Sequence, residues 1–133
     1  MKKNRLLLAS AYLAAFTAIV HTIGGTLEIH TPLLTSPLPE PISLLLYACW
    51  HLVTVALILS AIALFWSSHN SRAESNFALP AFIGFLWVGF GVVFVLVALY
   101  FSGLNGLIVL PQWILLIPIG VLTLFGVRKE ICK

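Results

Sequence analysis

Long apolar runs are the feature that most constrains this chain. Leu6 to about Ile29 carries only His21 and Glu28 as acidic or basic side chains. At about 1.5 Å rise per residue, a helix of this length crosses a bilayer core of roughly 30 Å. Similar runs lie at about 42–66, 77–101 and 107–127. We therefore expect an all-α membrane protein, in which residues 1–133 form a single four-helix transmembrane bundle.

The composition agrees with a chain that is surrounded mostly by lipid. Charged residues make up 8% of the sequence and hydrophobic residues 61%, whereas a soluble domain has about 25% charged residues. The formal net charge of +3 does not indicate nucleic acid, because the basic residues lie only at the termini and in one short loop. The composition indicates the lipid bilayer as the main partner. We also expect contacts with other membrane subunits.

The placement of the basic residues predicts the orientation in the membrane. They precede the first span, lie between the second and third, or follow the fourth: Lys2, Lys3, Arg5, Arg72, Arg128, Lys129 and Lys133. Cytoplasmic segments carry the excess of Lys and Arg. We expect a multi-pass protein of the plasma membrane, here a bacterial cytoplasmic membrane. Both of its termini are expected in the cytoplasm.

The segment between the first two spans is predicted to be an outward-facing loop. Residues 30–41 read HTPLLTSPLPEP and contain four prolines. Proline cannot donate a backbone hydrogen bond and disfavours the helical conformation of the residue before it. The leucines in this segment indicate that it lies against the membrane surface as a connector.

Two histidines in the outer half of the bundle form the candidate ligand site. His21 lies on a stripe of small residues in the first span, and His51 shares a face of the second span with Tyr47 and Thr54. Both lie roughly 11–12 Å below the outer end of their spans. Consecutive spans usually pack side by side, so we expect His21 and His51 to reach each other or a ligand between them.

Two interpretations of this pair remain open. Neutral imidazoles can hydrogen-bond between helices, or both can ligate a haem iron or another transition metal. Glu28 is about 10 Å from His21 along a straight helix, so Glu28 and His30 are expected to form a separate outer polar layer. Alternatively, His30 and Glu40 are solvated loop residues, and His69 is expected to be solvated in the cytoplasmic loop.

The remaining features support several function classes. Gly84 and Gly91 share one face of the third span, which is typical of close helix packing. Nucleotide loops, nucleophile elbows and HExxH motifs are absent from the sequence, so catalytic residues are unassigned and enzyme activity is left open. We expect a ligand- or cofactor-binding membrane protein, with an accessory subunit of a larger complex and a small proton-coupled transporter as alternatives.

Overall fold

The computed structural model describes residues 4–69 and 77–131. Every regular element in these two ranges is a helix, and four of the helices are long. The elements are α1 (Arg5–Gly25), a π-helical segment (Thr26–His30), α2 (Thr31–Leu34), α3 (Glu40–His69), α4 (Ala78–Val109) and α5 (Trp113–Ile131). The basic residues Lys2, Lys3, Arg72 and Lys133, on which the predicted orientation partly rests, lie outside the described residues.

Three helical stretches are long and apolar enough to cross a membrane: Arg5–Leu34, Glu40–His69 and Ala78–Val109. The expectation of an all-helical fold is confirmed for the described residues, and these three helices support membrane association by length and composition. The fourth long helix, α5, has 19 residues and carries Arg128 and Lys129 in its last turn. It begins at Trp113 and not near residue 107, and it continues past residue 127.

The first helical stretch is longer than predicted, because the predicted loop at residues 30–41 is helical in its first part. Pro32 lies in the first turn of α2, where the missing N–H is not needed. In an unbroken α-helix its ring would clash with the carbonyl of Glu28, four residues earlier. The π-helical segment widens the backbone at this point, and the Thr31 N–H bonds to the Thr26 carbonyl five residues back. The proline therefore changes the helix type without ending the helix.

The short gap between the predicted spans at 77–101 and 107–127 coincides with a break inside α4. Gly103 has φ 58° and ψ −149°, a backbone conformation that favours glycine. Three residues later, a Cβ at Gly106 would overlap the backbone of Ala98. Residues eight apart in a straight helix are about 12 Å apart, so the chain after Gly103 folds back along α4. The Trp113 indole donates to the Leu107 carbonyl at 3.1 Å and connects this segment to α5.

The hydrophobic core lies mainly where the first half of α1 meets the second half of α3. α1 packs against α3 and α5, and α4 packs mainly against α5. Ala14 and Leu64 are fully buried there, with Trp87 of α4 and Ile119 of α5. We call this end of the molecule, which also holds the start of α1, the core half. The opposite end, which holds the second half of α1 and the first half of α3, is the distal half.

Asn4 connects three helices at the end of the core half. Its backbone N–H donates to the Ser68 carbonyl at 3.1 Å, near the end of α3. Its side-chain amide donates to the Gly126 carbonyl of α5 at 2.9 Å, and its Oδ1 accepts from the N–H groups of Leu6 and Leu7. The residue is therefore the N-cap of α1 and also holds the ends of α3 and α5 beside it.

Candidate functional site

Five aromatic and imidazole rings gather in the distal half, and we call them the histidine–aromatic cluster. α1 contributes His21, the π-helical segment contributes His30, and α3 contributes Tyr47, Trp50 and His51. Tyr47, Trp50 and His51 lie three, one and four residues apart, which puts them on neighbouring positions of one helical surface. The cluster is thus formed by α3 facing two successive turns of the first helical stretch.

His21 lies flat against Trp50. The ring centroids are 4.0 Å apart and the planes differ by 17°. The indole reaches this position because Gly25, one turn after His21, has no side chain, and a Cβ there would overlap the indole ring. The Nε2 atom of His21 is buried and has no hydrogen-bond partner among the described residues. Such a nitrogen is costly to bury and is available to a ligand.

His30 lies at the centre of the cluster. Its ring is 4.7 Å from Tyr47, 5.9 Å from His51 and 6.3 Å from Trp50, measured between centroids. Its Nε2 atom is also buried, again with no hydrogen-bond partner in the ranges that the structure describes. His30 is therefore half-buried against α3, which differs from the solvated loop residue that the sequence favoured. The reason is that the π-helical segment keeps the chain helical up to this residue.

His51 contacts His30 and Tyr47. The Tyr47 and His51 centroids are 4.6 Å apart with the planes at 63°, and the His51 side chain is exposed on its other side. The structure thus brings His51 to His30, whereas His21 lies against Trp50. Trp50 joins the two parts, because both His21 and His30 approach its indole.

The acidic residues of this region lie outside the cluster. Glu28 of the π-helical segment and Glu40 at the start of α3 are both exposed. His69 is at the far end of α3, where its Nδ1 lies 3.0 Å from the Ser68 hydroxyl and 2.9 Å from the Phe65 carbonyl. Of the predicted outer layer of Glu28 and His30, only His30 therefore approaches the other candidate residues.

The cluster combines imidazole nitrogens with flat aromatic surfaces. Within residues 4–69 and 77–131, no three His, Cys, Asp or Glu side chains come together as a metal-binding group. The cluster instead offers three imidazoles, a phenol and an indole. In the sequence Tyr47 shares a face with His51, but neither Tyr47 nor Trp50 is predicted as a site residue. The signal that it missed was Gly25, which makes room for the large side chain on the opposite helix.

Comparison with known proteins adds no further constraint on the site. No protein-family model, curated protein or solved structure matches this chain.

Proposed function

We propose that this protein is a four-helix transmembrane bundle with both termini in the cytoplasm, and that it binds a ligand through imidazole nitrogen at the histidine–aromatic cluster. The observation that carries the proposal is the pair of buried, unpartnered Nε2 atoms of His21 and His30, counted within the described residues. Polar atoms in hydrocarbon are expensive to leave without partners, and intramembrane histidines are functional-site hypotheses by default.

The proposed topology rests on helix length and on charge. Three helices are long and apolar enough to span, and α5 packs along α4 and α1 as a fourth. The basic residues are confined to one side if both termini and residues 67–76 are cytoplasmic. Reporter fusions at Lys133 and at Ser36 test this. Cytoplasmic reporter activity is expected at Lys133, and cytoplasmic activity at Ser36 contradicts the topology, which places the cluster toward the outer face of a bacterial plasma membrane.

The cluster supports binding at a site that a ligand can enter from outside the protein. His51 and the neighbouring Leu52 are exposed, whereas the Nε2 atoms of His21 and His30 are buried and without a hydrogen-bond partner within the described residues. We propose that a ligand enters at the exposed side of His51 and reaches these nitrogens. Imidazole either donates a hydrogen bond, accepts one or ligates a metal, so these three modes define the ligands that the cluster accommodates.

Purification of the full chain in mild detergent tests ligand binding. Absorbance, metal analysis and mass spectrometry of extracted small molecules are expected to detect a stoichiometric ligand in the wild-type protein. The His21→Ala and His30→Ala variants are expected to retain less of it, whereas His69→Ala, at the other end of α3, retains the wild-type amount. Equal ligand content in all four proteins contradicts the proposal.

Haem, which the sequence suggested as a cofactor for His21 and His51, is poorly matched to this geometry. A porphyrin held by two of the imidazoles must extend sideways from its iron. Tyr47 and Trp50 fill the space beside His30 and His51, at 4.6 to 6.3 Å between ring centroids. A small ligand or a single ion therefore suits the cluster better than a macrocycle.

An accessory subunit without a ligand of its own is the second function that we propose to test. The outer end of α4 supports it, because Tyr100 and Ile108 are 82% and 81% exposed there, on a surface that lipid or another subunit covers. Copurification of one partner from native membranes, with no bound ligand, favours this alternative.

A proton-coupled transporter is the weaker proposal, because the two later spans at 77–101 and 107–127 contain no Asp, Glu, Lys, Arg or His.

A further inference from the structure

His30 and His51 are separated by a distance that suits two ligands of one metal ion. Their ring centroids are 5.9 Å apart and their planes are inclined by 74°. Metal–imidazole bonds are about 2.0–2.1 Å long, so two imidazoles on one ion have centroids about 4.5–6.5 Å apart, depending on the angle at the metal. The observed separation lies within this range.

The other groups near the pair limit the class of metal. The ring of Tyr47, which carries a phenol hydroxyl, contacts both His30 and His51. The carboxylates of Glu28 and Glu40 are exposed and outside the cluster, and Cys49, two residues before His51, is an exposed free thiol. Hard ions such as Mg²⁺ and Ca²⁺ require oxygen ligands, mainly carboxylates, whereas imidazole suits zinc, copper, iron and nickel.

We propose that His30 and His51 bind a first-row transition-metal ion, with copper held most tightly, and that Tyr47 borders the ion. This inference rests on the proposed function and names the ligand class of the same site. Copper(II) is the divalent ion for which nitrogen and oxygen ligands have the highest affinity in the first row. His30 and His51 supply two protein ligands, and the exposed side of His51 leaves room for exogenous ligands.

The π-helical segment is what brings His30 into the site. His30 is its last residue, and Pro32 follows two residues later. The widened turn changes the direction of His30 relative to the α-helical stripe that carries His21. The metal-binding pair is therefore His30 with His51, in place of the pair of His21 with His51 that the sequence suggested. His21 lies against Trp50 and is not one of this pair.

Copper titration of the full chain tests the inference. The protein is purified in detergent without an oligohistidine tag and titrated with Cu²⁺, and electron paramagnetic resonance counts the coordinating nitrogens. One ion per chain with two imidazole nitrogens is expected. The His30→Gln and His51→Gln variants are each expected to lose one nitrogen and to bind at least about tenfold more weakly, since even outer partners of a metal ligand contribute that much.

A matched control completes the experiment. His69→Gln, at the far end of α3 and outside the cluster, is expected to keep both nitrogens and the wild-type affinity. Thermal unfolding in the same detergent identifies any variant that has not folded, and the nitrogen count in the wild type stands independently of the variants. A wild-type spectrum that persists in His30→Gln and His51→Gln, or that is lost in His69→Gln, overturns the inference.

The outcome also separates this inference from the proposed function. If copper does not bind but an organic ligand copurifies and is lost in His21→Ala, the metal site is wrong and the proposed function stands. If neither copper nor any organic ligand binds to the wild-type protein, both are wrong.

Discussion

The imidazole of His21 stacks on the indole of Trp50, with 4.0 Å between the ring centroids. This contact is the closest ring pair in the described part of the chain, and it joins α1 to α3 in the distal half. Most buried side chains of these two helices lie in the core half. The distal half is therefore held together by ring contacts between few residues, and substitutions there should affect the cluster before they affect the core.

The first prediction concerns Gly25, which makes room for Trp50. A Cβ at Gly25 would overlap the indole ring, whereas a Cβ at the adjacent Gly24 has no heavy atom within 4 Å. Gly25→Ala is expected to lower the free energy of unfolding by about 1–3 kcal/mol, as overpacking does. Gly24→Ala should leave it unchanged or raise it slightly, since alanine is the better helix former. Thermal unfolding in detergent, followed by tryptophan fluorescence, measures both, and equal effects contradict the assigned contact.

The second prediction concerns Asn4. Asn4→Ala removes the buried amide that donates to the Gly126 carbonyl and the N-cap of α1, so we expect a loss of about 1–3 kcal/mol. Asn4→Asp keeps the capping oxygen but places a buried carboxylate oxygen against the Gly126 carbonyl, so it should also destabilise the protein. Asn105→Ala, at an exposed position in the short segment after Gly103, is the control and should be close to neutral. Chemical unfolding in mixed micelles measures the stability of each variant. An Asn4→Ala protein as stable as the wild type would show that the hydrogen bonds of the Asn4 side chain contribute little to stability.

The third prediction concerns the interface of α4 and α5. A Cβ at Gly120 would lie 2.6 Å from the Gly84 carbonyl oxygen and 2.7 Å from the Val88 nitrogen, whereas a Cβ at Gly89 meets nothing within 4 Å. Close approach of membrane helices depends on such small residues. Gly120→Ala is expected to destabilise the protein by about 1–3 kcal/mol, and Gly89→Ala by much less. The temperature at which each variant aggregates in detergent measures the difference, and the reverse order is the contradicting result.

The fourth prediction is a comparison of two double-mutant cycles. His30 and His51 contact each other, so the effects of His30→Ala and His51→Ala on unfolding should be non-additive, by about 0.5–3 kcal/mol. The cycle of His21→Ala with His51→Ala should show a smaller coupling, because His21 lies against Trp50 and His51 against His30 and Tyr47. A larger coupling energy for His21 with His51 than for His30 with His51 would contradict the contacts seen here and favour the pair that the sequence predicts.

Part of the fold could be predicted because it depends on local properties of the chain. The turn near Gly103 and the close packing of α4 at Gly84 and Gly91 follow from glycine positions, and the structure confirms both. The first connection was predicted less well, since Pro32 was read as a helix breaker and is tolerated at the start of α2. A proline two residues after His30 can end a helix or widen it, and the local sequence does not decide which.

Part of the candidate site could be predicted in the same way. Because His21 and His51 lie in apolar runs, the sequence predicts a polar site in this part of the protein. In the structure both residues belong to the histidine–aromatic cluster of the distal half. The partners of each imidazole could not be predicted. A helix period gives the face on which a residue lies, but two residues on facing stripes meet only if the helices have the right rotation and spacing.

By itself the sequence determined that this protein consists of long apolar helices, because hydrophobicity and helix length are properties of each segment alone. It also determined that histidines lie among those apolar residues. Only the tertiary structure decided that His30 meets His51 and that His21 meets Trp50. The physical reason is that these contacts join residues about 20 to 30 positions apart. They depend together on the π-helical turn before Pro32 and on the space that Gly25 leaves between α1 and α3.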